Sequence, residues 1–75
     1  MPRPVTAMMR LDQILLRFEL VSDVSGLRRG LTEFVRDSAD RDATDIARNM
    51  LRHVEDGRWG YFVHNRRVVS DIAKL

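Results

Sequence analysis

The chain has 75 residues, 44% hydrophobic and 32% charged, with a formal net charge of +2. A chain of this size forms one domain whose core yields only about 3–5 kcal/mol, so a partner or a second copy would be a natural reinforcement. It has no cysteine, which excludes disulfides and thiolate zinc sites and suits a reducing compartment.

The composition is too apolar for a disordered segment and too charged for a membrane protein. Its apolar runs, such as Ile14–Leu16, fall far short of the roughly 18 residues of a membrane span, and the arginine-bearing start MPRPVTAMMR lacks a secretory apolar region. The expectation is a cytoplasmic protein without membrane contact. Charge is unevenly spread. Residues 46–67 carry Arg48, Arg52, Arg58, Arg66 and Arg67 against only Glu55 and Asp56, whereas residues 22–45 are net acidic. One basic face is the implied result.

In chain order, Pro2 and Pro4 bar a helix at the start, so residues 1–5 read as a flexible arm and 6–75 as a single small domain. From Thr6 to about Leu20 the apolar residues Met8, Leu11, Ile14, Leu15 and Phe18 recur at helical spacing, with Thr6 placed as N-cap. The alternation Leu16-Arg17-Phe18-Glu19-Leu20 offers a competing strand. After the turn-rich Ser22–Gly26, a second helix is predicted over Leu27–Asp37 from Leu27, Leu31, Phe34 and Val35. Gly30 inside it costs roughly 1 kcal/mol against alanine, which points to close helix packing. Arg28-Arg29 reads as a solvated pair.

The third helix has the strongest periodicity in the chain. Ala43, Ile46, Ala47, Met50, Leu51 and Val54 mark one face, while Arg48, Asn49, Arg52 and Glu55 lie opposite. Asp42 or Ser38 is the expected N-cap, and Gly57 the left-handed stop. Beyond it, Arg58–Val63 is aromatic and β-prone, His64–Arg67 is polar and Val68-Val69 is β-branched. This predicts a β-hairpin over residues 58–69, turning at Asn65-Arg66 or through a four-residue loop. In a competing reading Asn65 caps a last helix bearing Val68, Val69, Ile72 and Leu75. The expected fold class is thus α+β, a three-helix core followed by a C-terminal β-hairpin.

Three helices and a hairpin, with LRHVEDGRWGYFVHNRRVVS at the junction, resemble the winged helix-turn-helix superfamily over about residues 27–70. The resemblance implies a transcription regulator that binds double-stranded DNA. Its 42–56 helix would enter the major groove with Arg48, Asn49 and Arg52, since arginine pairs bidentately with guanine and asparagine with adenine. Arg66 and Arg67 at the wing tip would meet phosphate, and a homodimer would be expected. The competing expectation is a regulator or inhibitor that docks on a larger enzyme complex. Trp59, Tyr61 and Arg66 are types enriched at interface hot spots, and an Arg58–Val63 edge strand could extend a partner's sheet.

No enzyme is expected. His53 and His64 have no nucleophile pattern beside them, and phosphate loops and metal-ligand motifs are absent from the sequence, so neither cofactor nor metal is implied. The residues singled out for binding are Arg48, Asn49, Arg52, Arg58, Trp59, Tyr61, Arg66 and Arg67.

Overall fold

Four helices make up the protein in a computed structural model that describes residues 6–74: α1 (Ala7–Val21), α2 (Val24–Asp37), α3 (Arg41–Asp56) and α4 (Trp59–Ala73). There is no strand among the described residues, so the fold is all-α and the expected hairpin does not form. The N-terminal arm, residues 1–5, and Leu75 of the competing last helix lie outside the described residues.

Local chemistry sets each helix boundary. The Thr6 hydroxyl accepts from the Met9 amide at 3.1 Å and starts α1. The helix then runs through the Leu16–Leu20 alternation, and the competing strand does not occur. Ser22 ends it in the left-handed region at φ 57°, with its N–H donating to Phe18 O. The Asp23 carboxylate caps α2 by accepting from the Gly26 amide at 3.1 Å, so this helix begins at Val24 rather than Leu27. Asp40, not Asp42 or Ser38, caps α3, accepting from the Ala43 amide at 2.9 Å. Gly57 stops α3 at φ 72° in a Schellman arrangement, with Gly57 N–H donating to Val54 O and Arg58 N–H to His53 O.

The hairpin expectation failed because a local signal was outweighed by packing. Trp59, Tyr61, Phe62 and Val63 have high β-propensity, but that propensity measures fit to a half-buried pleated surface more than any backbone preference. Across the same stretch Phe62, Arg66, Val69 and Ala73 recur at i, i+4, i+7 and i+11. As one helix they put Phe62, Val69 and Ala73 on a single stripe against the core. An isolated hairpin would be marginal in water. A helix satisfies its own amides and delivers two fully inward apolar side chains. Asn65 is an interior residue of α4, neither turn nor cap.

Connectors of two or three residues make successive helices antiparallel neighbours. Contacts run α1–α2, α2–α3 and α3–α4, and α4 closes the ring on α1. The first and third helices also touch across the centre. The core comprises Leu11 and Leu15 from α1, Leu27, Leu31 and Phe34 from α2, Ala43, Ala47, Met50 and Val54 from α3, and Phe62 and Val69 from α4, with Met8 at its edge. Small side chains at 43 and 47 bring α3 close to its neighbours. At Gly30 a Cβ would lie 3.0 Å from Ile14 Cγ2, so the glycine sits where α1 and α2 approach most tightly.

Candidate functional site

Since only two residues separate α3 from α4, the short turn throws several of the singled-out side chains to one corner of the bundle. Tyr61 is 62% exposed yet positioned, its ring stacking on His53 of α3 with centroids 5.2 Å apart. His53 is partly buried, and its Nδ1 has no hydrogen-bond partner among the described residues. Trp59 is 40% exposed; its inner face stacks on Phe18 at 6.0 Å and meets the edge of Phe62 at 5.4 Å. Gly57, Arg58, Trp59, Gly60, Tyr61 and His64 line a shallow hollow over this turn.

The arginines divide into two kinds. Arg52, Arg58 and Arg67 are exposed and form no ion pair among the described residues. Arg48 is exposed and 3.8 Å from Asp45 one turn earlier, a pair screened by solvent and worth little. Asn49 is exposed on the same helix. Arg66 behaves differently. Only 15% of its side chain is exposed, its Nε donates to Glu19 at 2.7 Å and its Nη1 to Asp12 at 2.6 Å. Desolvation disfavours its charge, but the two carboxylates outweigh that and raise its pKa above the ordinary arginine value. Arg66 is therefore a clamp between α4 and α1, with its Nε and Nη1 engaged. The wing tip on which it was to meet phosphate is the middle of a helix.

The structure thus gathers Arg58, Trp59 and Tyr61 around the α3–α4 turn, with Arg52 exposed on the last turns of α3. Arg48 and Asn49 lie further back along α3 and Arg67 further along α4. Sequence reasoning did not single out His64 in the hollow, nor the apolar side chains Leu16, Leu20 and Val63, which are 46%, 78% and 54% exposed. Leu16 and Leu20 carried a readable signal, because they fall at i, i+4 off the core stripe of their helix. Val63 became legible only once residues 59–73 were one helix. No group of three or more metal-ligating side chains occurs among the described residues.

Fold and site together define a small antiparallel four-helix domain bearing an aromatic–arginine corner. Comparison with protein-family models, with curated proteins and with solved structures gave no match. No helix of the described residues is long and apolar enough to cross a membrane.

Proposed function

We propose that the chain is a protein-binding module that docks on its partner through the α3–α4 corner. The observation that carries this reading is Tyr61, whose ring is largely exposed but held in place by the His53 stack. Such an aromatic gives up little conformational freedom on binding, which is what makes an anchor. Arg58 lines the same hollow and Arg52 lies on the last turns of α3; both are exposed without an ion pair among the described residues and supply donors for polar groups of the partner. The activity is regulatory or inhibitory, exerted by occupancy of the partner.

Duplex DNA binding is the second reading, favoured by the placement of Arg48, Asn49 and Arg52 on the solvent side of α3. Asp45 beside Arg48 and the exposed Glu55 and Asp56 at the end of that helix oppose it. They would face phosphate in any pose that buries the helix in a groove.

One experiment separates the two. The purified full chain serves as bait for its host's proteins, and binding of the recovered partner is compared for the parent chain, Tyr61→Ala and Arg52→Glu. Loss of a hot-spot anchor weakens binding by about 2 kcal/mol, roughly thirtyfold. A partner bound equally by the parent and both variants would overturn the reading. Duplex binding that fades with added salt and with the double change of Arg48 and Arg52 to alanine would transfer the assignment to DNA.

A further inference from the structure

We infer that the groove between α1 and α2 is a second docking site, one that takes an amphipathic helix of a partner protein whose flank toward α1 is acidic. Arg10, Gln13, Ile14, Arg17 and Phe18 line the groove from α1 at i, i+3, i+4, i+7 and i+8, which is one helical face. On the α2 side Gly26 and Gly30 put no side chain into the space, and a groove of about 690 Å³ is left open. Its floor is apolar, with Ile14 and Phe18 half-buried beside buried Leu27 and Phe34.

The charges identify the occupant. Asp12 and Glu19 are the only acids of α1, and both are held on the α4 side by Arg66. The arginines of the same helix, Arg10 and Arg17, are left on the α2 side, exposed and without an ion pair among the described residues. Arg29 of α2 lines the groove in the same state. Of the acids that line it, Asp23 is occupied as the α2 cap and Asp37 is paired with Arg36 at 3.3 Å, which leaves Glu33 alone. The α1 wall is therefore wholly basic and the α2 wall mixed, so the occupant carries acids on the flank that faces α1.

Spacing distinguishes a helix from an amphiphile with a single head group. Arg10 and Arg17 lie on one side of α1, about 10 Å apart along the axis at 1.5 Å per residue. One anionic head group engages one of them, whereas acids seven residues apart on a helix laid along α1 engage both. Aliphatic side chains at i, i+3 or i+4 and i+7 of such a helix fill the apolar floor, to which the backbone of a nucleic acid offers nothing apolar. The groove is separate from the α3–α4 corner, whose Tyr61 stacks on α3, and neither reading rests on the other.

Selection of peptides on the full chain tests the inference, from a library of helical peptides of about 15 residues with a fixed leucine stripe and flanks varied among glutamate, lysine and glutamine. Peptides enriched on the parent chain should carry glutamates at seven-residue spacing along one flank. Their binding should weaken by at least about tenfold on the double change Arg10→Glu and Arg17→Glu, and by less at high salt. The helical circular dichroism spectrum should not change, since both positions are exposed and unpaired among the described residues. The chain's four glycines report the place: on peptide addition the amide resonances of Gly26 and Gly30 should shift more than that of Gly57 at the corner. No enrichment, enriched peptides with neutral or basic flanks, binding indifferent to the double change, or shifts centred on Gly57 would overturn the proposal. Decanoate bound in the groove more tightly than the selected peptides would also overturn it and transfer the site to an anionic amphiphile. Tyr61→Ala should leave peptide binding intact, so failure here and failure of the docking reading are separate results.

Discussion

Three residues, two at helix ends and one between helices, show how single positions fix this structure. Gly57 occupies the left-handed region at φ 72° with open space where a Cβ would point, so only backbone strain separates it from alanine. Gly57→Ala should destabilise the protein by about 1 kcal/mol, read as a lower midpoint in urea unfolding. Ser22 meets the same demand without glycine's freedom, at φ 57°, and Ser22→Gly should be neutral or slightly stabilising in the same assay. Arg66 is the other case. Its replacement by alanine removes two charge-assisted hydrogen bonds and the packing of its stem, and should cost about 1–2 kcal/mol, discounted because Glu19 is half exposed. Arg66→Lys should recover only part, since one ammonium cannot serve two carboxylates from a planar fork. Because the Arg66 pKa is raised, the stabilisation from its charge is in place below the unfolded arginine value as long as its carboxylate partners are ionised, and it is lost as pH rises through the folded arginine value. It therefore adds no pH dependence near neutrality.

At the scale of elements, α4 is where local and global preferences part. Proline tests its character directly. Were residues 64–67 a hairpin loop, His64→Pro would be tolerated. In the interior of a helix it removes a backbone hydrogen bond and clashes with the preceding turn, costing about 3 kcal/mol or more. For a domain this small the outcome should be loss of cooperative unfolding or a chain unfolded at room temperature, visible by circular dichroism. Helices α1 and α3 were legible because their stripes, Met8–Leu11–Leu15 and Ala43–Ala47–Met50–Val54, are uninterrupted and capped by Thr6 and Gly57. The start of α2 was placed three residues late because its cap, Asp23, lies inside the Ser22–Gly26 stretch that reads as a turn-rich break. In α4, aromatic and β-branched residues obscured an equally regular stripe of Phe62, Arg66, Val69 and Ala73. No local cap marks its beginning either, since Arg58 makes no side-chain capping bond.

At the scale of the molecule, a 75-residue chain has little core to spare, so a cavity opened at any fully buried side chain takes a large share of its stability.

The sequence by itself determined three helices, their inward faces, the glycine stop after α3 and an arginine-rich second half, because periodicity and caps are local properties. The tertiary structure alone decided that residues 59–73 are a helix, because the core of α1 and α3 needed a fourth apolar stripe that no local propensity records. It also decided which arginines are available. Arg66 and Arg67 are neighbours of identical charge, yet only contact with Asp12 and Glu19, some fifty residues away, makes the first a clamp while the second stays exposed. A residue's freedom to bind depends on what the fold brings against it, and that is set by packing across the whole chain.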